Sequence, residues 1–133
     1  MKVMALDYGA ARTGVAVSDP TGTIARPLGT VERAASENGL ARLAELARTE
    51  HVQRVVVGLP LTLRGEIGEQ ARETEAFVES LRPLLGVPVE TWDERFTTAL
   101  AASGDSPHDS DEDARAAAHL LSSYLAWASR DAG

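Results

Sequence analysis

Three carboxylates stand at the ends of predicted structural elements, where side chains of this type could do chemistry. Asp7 ends an apolar run that starts at Val3, and Glu94 follows the run that starts at Val87. Asp113 lies near the start of the last helical stretch, on the side of its apolar stripe. Carboxylate oxygens suit Mg²⁺ or Mn²⁺, and two such ions can activate water and stabilise the leaving oxygen in phosphodiester hydrolysis. Asp7 is the natural bridging ligand, because it comes from the predicted central strand.

Each carboxylate also has a purely structural interpretation. Asp7 could accept hydrogen bonds from the following loop in an Asx turn, and Glu94 could be a solvated charge at a strand end. Ser110 and Asp113 fit a capping box, in a first helical turn where acids suit the helix dipole. The joint placement favours a site, because three separate elements would bring these acids toward one edge of a sheet.

Other kinds of site chemistry find less support in the sequence. His51, His108 and His119 show no spacing to a serine or to one another that predicts acyl-transfer chemistry. We interpret them as a helix-end residue, a loop residue and a residue on a solvated helix face. The chain contains no cysteine, so disulfide, thiol and cysteine-based zinc chemistry are excluded.

Length and charge limit the classes of function. A chain of 133 residues predicts one domain, residues 1–133, with a single core. The formal net charge of -7 argues against strong non-specific binding of nucleic acid. It does not exclude a nuclease, whose site must itself be acidic to hold divalent metals. No apolar run approaches the roughly 20 residues of a membrane span, and the N-terminus lacks a signal-peptide pattern. No membrane partner is therefore expected, and the expected location is cytoplasmic.

The N-terminal third predicts an antiparallel meander of three strands. The first apolar run is short and bounded by glycine, which is typical of a strand buried on both faces. A loop containing Gly9 and Gly14 returns the chain into a second apolar run. The turn Asp19–Gly22 follows. The third strand, Thr23 to Val31, is interrupted by Pro27, which predicts an edge position.

The rest of the chain alternates helices and strands. Ser36 is the predicted N-cap of a helix that continues to about Glu50. The other predicted elements are a strand from Val52 to Leu59, a helix whose stripe runs from Ile67 to Leu85, a strand from Val87 to Trp92, a short helix from about Thr97 to Ala102 and a last helix from about Asp111 to Ser129. A helical crossover makes the fourth strand parallel to the first. A meander followed by two strands with helical crossovers is the ribonuclease-H-like α/β arrangement, a mixed five-stranded sheet flanked by helices, with Asp7 on the middle strand.

Four short groups of residues follow one another across nearly the whole chain. They are Leu6-Asp7-Tyr8-Gly9 with Arg12, Gly14 and Ser18-Asp19; Gly58-Leu59-Pro60-Leu61 with Gly65; Asp93-Glu94-Arg95-Phe96-Thr97-Thr98; and Asp113 with Ala116-Ala117, Leu120-Leu121 and Tyr124-Leu125. Together they resemble the YqgF family, also called RuvX, of ribonuclease-H-like proteins. Members of that family are described as Holliday-junction resolvases and as nucleases that mature the 5′ end of precursor 16S rRNA.

The resemblance implies roles for individual residues. Asp7, Glu94 and Asp113 would be the catalytic acids that bind Mg²⁺ or Mn²⁺, and Glu94 is preferred to Asp93 because it holds the position of the family's glutamate. The implied substrate-binding residues are Arg12, Arg95, Thr97 and Thr98. Arg12 could instead be a solvated loop residue, and Thr97 could simply start the short helix.

One region departs from the family's pattern. Members usually carry a basic, lysine-containing segment before the third acid, whereas residues 103–113 here are short, acidic and free of Lys and Arg. Lys2 is the only lysine in the chain. Affinity for a phosphate backbone would therefore have to come from arginines elsewhere, such as Arg64, Arg72 and Arg95.

The leading hypothesis is a metal-dependent endonuclease that acts on structured nucleic acid, either a four-way DNA junction or precursor rRNA. Junction resolution needs two paired cuts, which favours a homodimer with two-fold symmetry. A non-catalytic nucleic-acid-binding module of the same fold is an alternative that the acidic net charge favours. The spacing of Asp7, Gly9 and Gly14 also resembles the phosphate loop of actin-like ATPases such as sugar kinases and chaperones, but those are far longer, two-domain proteins.

Overall fold

A computed structural model describes residues 1–97 and 110–132. Its regular elements are strands β1 (Val3–Asp7), β2 (Arg12–Ser18), β3 (Ala25–Glu32), β4 (Arg54–Leu59) and β5 (Val89–Asp93), and helices α1 (Glu37–Thr49), α2 (Glu69–Leu81) and α3 (Ser110–Ala132). Two single turns of 3₁₀-helix, Arg82–Leu84 and Glu94–Phe96, follow α2 and β5.

The five strands form one mixed sheet in the order β3-β2-β1-β4-β5, which places β1 in the middle. β2 lies antiparallel to β1, with Asp7 opposite Gly14, and β3 lies antiparallel to β2. β4 is parallel to β1, and β5 is parallel to β4. This is the predicted ribonuclease-H-like arrangement, and β3 occupies the edge position that Pro27 indicated.

Helices cover both faces of the sheet. On one face, Leu43 of α1 and Phe77 of α2 pack in a core with strand residues such as Leu6. On the other face, α3 packs Leu120 and Leu121 in a second core; its strand members are Val3, Ala5, Ala16, Val56 and Trp92. Because side chains alternate along a strand, β1 contributes Met4 and Leu6 to the first core and Val3 and Ala5 to the second.

Local sequence explains where several elements begin and end. Ser36 caps α1 by accepting a hydrogen bond from the backbone N–H of Gly39 at 3.0 Å, as predicted. The second helix is shorter than predicted, because Pro83 has no N–H to continue it and the chain passes into a 3₁₀ turn. β3 begins later than predicted, because Asp19 holds the preceding turn by accepting from the N–H groups of Thr23 and Ile24.

The region after β5 also differs from the prediction. The described helical turn is Glu94–Phe96, which precedes the predicted start of the short helix, and Thr97 follows it with extended backbone angles. The Asp93 side chain caps this turn by accepting a hydrogen bond from the N–H of Arg95 at 2.9 Å. The rest of the predicted short helix lies outside the described residues.

The described helices include none that is both long enough and apolar enough to cross a bilayer.

Candidate active site

The candidate site lies on the sheet face that α3 covers, and residues on or directly after four strands contribute to it. Asp7 continues the odd-numbered series of β1, which faces α3, and Gly14 continues the series of Ala16 on β2. Gly58 continues the series of Val56 on β4, and Glu94 follows Trp92 by two residues. Asp7 and Glu94 therefore lie on the face of the sheet that α3 covers.

Asp7 and Glu94 form a hydrogen-bonded carboxyl pair. Burial, the negative charge of Asp7 and the hydrogen bond to Asp7 raise the pKa of Glu94 to about 7. Because two neighbouring carboxyl groups repel one another when both are ionised, Glu94 keeps its proton up to about neutral pH. Two observations argue against an Asx turn at Asp7. Its side chain is hydrogen-bonded to Glu94, and the N–H of Gly9, which an Asx turn would use, donates to the Thr13 hydroxyl at 3.3 Å.

Gly58 makes room for the Glu94 side chain. A Cβ at position 58 would lie 2.8 Å from Glu94 Oε1, 3.0 Å from its Cγ and 2.3 Å from Leu120 Cδ1. Glu94 therefore lies across the backbone of β4, between the strand and α3. This packing directs its carboxyl group toward Asp7 on the neighbouring strand β1.

Asp113 reaches the same place through the close approach of α3 to β2. A Cβ at Gly14 would lie 1.9 Å from the backbone oxygen of Asp113 and 3.2 Å from the backbone nitrogen of Ala114. Gly14 is also the residue opposite Asp7 in the ladder. The Asp113 carboxylate forms an ion pair with Arg12, with 3.1 Å between Oδ2 and Nε. Arg12, the first residue of β2, is thus paired with Asp113 and is not a freely solvated loop residue.

The donors match a hard divalent cation in chemistry. Asp7 and Glu94 supply adjacent carboxylate oxygens that repel one another when ionised, and a cation relieves that repulsion. Asp113 is the third acid on this face, and in the structure it is engaged by Arg12. Over residues 1–97 and 110–132, no three His, Asp or Glu side chains come together as a ready-made metal site.

Arg95 and Thr97 follow Glu94 directly, but Arg95 is already engaged. Its guanidinium donates to both carboxylate oxygens of Asp93 and to the backbone oxygen of Leu63. This contact holds the pKa of Asp93 below its usual range. Thr97 ends the 3₁₀ turn, donating its N–H to the backbone oxygen of Glu94 at 3.0 Å. Thr98 lies outside the described residues.

Gly14, Gly58 and Asp93 support the site in ways that were not predicted from the sequence. Gly14 was expected in the first hairpin loop, whereas the structure places it within β2 and without a positive φ. Gly14 and Gly58 both interrupt apolar, β-branched strand sequences, and glycine inside a strand often marks a close approach of another backbone or side chain. That signal was present in the sequence. Asp93 was considered only as an alternative to Glu94, and its pairing with Arg95 depends on the turn geometry.

The pKa of Glu94 predicts how stability depends on pH in the metal-free protein. Between about pH 4.5 and pH 7 the folded state holds more protons than the unfolded state, so stability falls as pH rises through this window. Glu94 is only partly buried, which reduces the expected loss to about 1–2 kcal/mol. When thermal unfolding is measured in EDTA, stability should fall less between pH 5 and pH 8 in Glu94→Gln than in wild type. Identical pH profiles for the two proteins would contradict the carboxyl pair.

The fold is similar to that of solved RuvC structures. One is Thermus thermophilus RuvC in complex with a Holliday junction substrate, at a TM-score of 0.63 and 20% identity over 97% of this chain and 96% of that one. A second Thermus thermophilus RuvC structure matches at a TM-score of 0.62 and 18% identity, with the same coverage. At this identity the likeness shows the fold, and it confirms the ribonuclease-H-like class.

Two curated bacterial relatives are much closer in sequence. A protein of Desulforudis audaxviator (strain MP104C) is 43% identical over 132 residues, covering 94% of each chain. A protein of Roseiflexus sp. (strain RS-1) is 48% identical over 100 residues, covering 75% of this chain and 71% of its own. Both carry the name "Putative pre-16S rRNA nuclease". The family described as "RuvX: Holliday junction resolvase" matches residues 1–127, so this chain belongs to the RuvX family.

Proposed function

We propose that the protein is a divalent-metal-dependent endonuclease that hydrolyses phosphodiester bonds in structured nucleic acid. The observation that carries the proposal is the Asp7–Glu94 carboxyl pair, on the sheet face where α3 brings Asp113. A partly buried carboxyl pair lowers the stability of the metal-free protein, and a role in a hydrolytic metal site would explain why the pair is present. Membership in the RuvX family supports the same chemistry.

In this proposal Asp7, Glu94 and Asp113 hold the cations. Bound Mg²⁺ or Mn²⁺, as two ions, would supply an activated water and stabilise the leaving oxygen. Glu94 would release its proton on becoming a ligand, so metal affinity should rise with pH through about 7. Arg12, whose guanidinium can bind phosphate oxygens in a forked geometry, lies beside Asp113 to contact the substrate backbone.

The names of the relatives support two substrates. The proteins of Desulforudis audaxviator and Roseiflexus are named for precursor 16S rRNA, and the family description names Holliday junctions. Both substrates are structured nucleic acids, and we propose that this chain cleaves one of them. Cutting a four-way junction would require a homodimer, whereas trimming an rRNA precursor would not. With either substrate, the protein would act in the cytoplasm.

A cleavage assay on three substrates tests the proposed function. Wild type is incubated with a synthetic four-way DNA junction, a linear duplex of matching sequence and a 5′ fragment of precursor 16S rRNA, with Mg²⁺, with Mn²⁺ or with EDTA. We expect metal-dependent cleavage of the junction or of the rRNA fragment, and little cleavage of the duplex. Binding without cleavage in any metal would overturn the proposal and favour a non-catalytic binding module.

A further inference from the structure

The Asp113 carboxylate pairs with Arg12 and not with the other two acids. Its Oδ2 atom lies 3.1 Å from Nε of Arg12, and both side chains are partly exposed. The backbone of Asp113 packs against Gly14, which is the residue opposite Asp7 in the sheet. Even so, no three acids among the residues that the structure describes are gathered as ligands for one ion. The backbone of Asp113 is therefore in place beside the site, and its side chain is turned to Arg12.

The backbone that carries Arg12 is fixed by hydrogen bonds on both sides. The Thr13 hydroxyl accepts from the N–H of Gly9 at 3.3 Å and donates to the Gly9 backbone oxygen at 3.4 Å, and Thr13 is fully buried. The backbone oxygen of Ala11 accepts from the N–H of Arg33 at 3.0 Å. A change of partner at Arg12 therefore requires only a rotation of its side chain.

We propose that Asp113 exchanges partners. It pairs with Arg12 in the metal-free protein and turns to the cation at the carboxyl pair when that cation is bound, and Arg12 then binds a phosphate of the substrate. The inference rests on the proposed function and deepens it, because it makes the bound cation a condition for the phosphate contact. Arg12 is then a substrate-binding residue that Asp113 withholds from the substrate until the site is loaded.

The partners in this exchange are chemically equivalent in pairs. A guanidinium and a divalent cation both neutralise a carboxylate, and the divalent ion attracts it more strongly because its charge is higher. A guanidinium released from a carboxylate fits a phosphate, whose oxygens accept its forked N–H donors in the same way. An ion pair between partly exposed side chains adds little to stability, so it can break at low cost. The Arg12–Asp113 pair therefore suits a contact that changes during function.

Mn²⁺ binding in the absence of nucleic acid tests the first half of the exchange. In titration calorimetry at pH 8, Arg12→Ala should bind Mn²⁺ about two- to fivefold more tightly than wild type, because no ion pair has to break. Neither Arg12 nor Asp113 belongs to a core, so variants at both positions should fold. Weaker or unchanged Mn²⁺ binding by Arg12→Ala would overturn the exchange, since an arginine that orients Asp113 as a ligand would give that result.

The matched control is the same substitution in a protein that lacks the ion pair. Asp113→Asn should itself bind Mn²⁺ more weakly, because a ligand is lost. Adding Arg12→Ala to Asp113→Asn should give no more than a small part of the gain seen in wild type. An equal gain in both backgrounds would mean that Arg12 acts only through its charge, and it would overturn the exchange.

Nucleic-acid binding in EDTA tests the second half. The affinities for a four-way DNA junction and for a 5′ fragment of precursor 16S rRNA are measured at several salt concentrations. Arg12→Ala should keep the wild-type slope of log affinity against log salt, because Arg12 is engaged by Asp113 and contacts no phosphate. Asp113→Asn releases Arg12, so its slope should be steeper by about 0.7–0.9, and the double variant should return to the wild-type slope. Asp7→Asn removes a carboxylate but leaves the ion pair, and it should keep the wild-type slope.

The outcomes separate this inference from the proposed function. If wild type cleaves its substrate and Arg12→Ala matches it in Mn²⁺ affinity, the inference is wrong and the proposed function stands. If wild type cleaves nothing, but Asp113→Asn gains a salt slope that Arg12→Ala removes, the proposed function fails and the control of Arg12 by Asp113 stands. A lower salt slope for Arg12→Ala than for wild type in EDTA overturns the inference, because Arg12 would then contact phosphate without a bound cation.

Discussion

Replacing Asp7 by asparagine should lower the rate of metal-dependent cleavage by at least about a thousandfold. Asn keeps the size of the side chain and a hydrogen bond to Glu94, but it removes the charge of the ligand on the middle strand. The variant should fold, because Asp7 belongs to neither core. The measurement is the single-turnover cleavage rate on the substrate that wild type cuts.

Two comparisons make that result specific. Glu79→Gln removes a carboxylate that is paired with Arg82 on the exposed side of α2, and it should cleave at the wild-type rate. In EDTA, substrate affinity of Asp7→Asn should equal that of wild type or exceed it, because one negative charge near the phosphate backbone is gone. Full cleavage activity in Asp7→Asn would exclude Asp7 as a ligand of a required metal.

Gly14→Ala should destabilise the protein and also disturb the site. The new methyl group would lie 1.9 Å from the backbone oxygen of Asp113 and 2.5 Å from its carbonyl carbon, so α3 must move away from β2. We expect a loss of about 3 kcal/mol in the free energy of unfolding, which is roughly a 10 °C fall in Tm for a chain of this length. Displacing Asp113 by about 1 Å should lower cleavage about a hundredfold.

Gly86→Ala provides the comparison for this substitution. A Cβ at Gly86 has no atom within 4 Å, and its φ lies outside the left-handed region. Alanine there should therefore be neutral or should stabilise the fold by a few tenths of a kcal/mol through the unfolded state. Equal melting temperatures for Gly14→Ala and Gly86→Ala would contradict the close packing of α3 against β2 at Gly14.

The order of the elements could be predicted because each strand carries its own apolar run and its own turn residues. Val3–Asp7, the Asp19–Gly22 turn and the Ser36 cap are local signals, and each is confirmed by the structure. The ends of elements were less predictable. The 3₁₀ turn at Glu94–Phe96 was not predicted, because it depends on a cap by the Asp93 side chain that the sequence pattern does not single out.

The candidate site was only partly predictable from the sequence. The topology predicted that Asp7 and Glu94 would meet at one sheet edge, and the carboxyl pair is consistent with this. The ion pair between Arg12 and Asp113 depends on the tight packing of α3 on Gly14, which no sequence periodicity encodes. Arg95 was predicted to contact the substrate. Its hydrogen bonds to Asp93 and to the Leu63 carbonyl could not be predicted, because they depend on the three-dimensional fold.

The central claim is that Asp7 and Glu94 bind a divalent cation together, and titration calorimetry with Mn²⁺ at pH 8 tests it most directly. Wild type and Glu79→Gln should bind Mn²⁺ with the same affinity, whereas Asp7→Asn and Glu94→Gln should each bind at least about tenfold more weakly. In wild type at pH 7, binding should also release protons, detected as a heat that changes with the ionisation enthalpy of the buffer. Equal Mn²⁺ affinity in all four proteins would contradict the assignment of this carboxyl pair as the metal site.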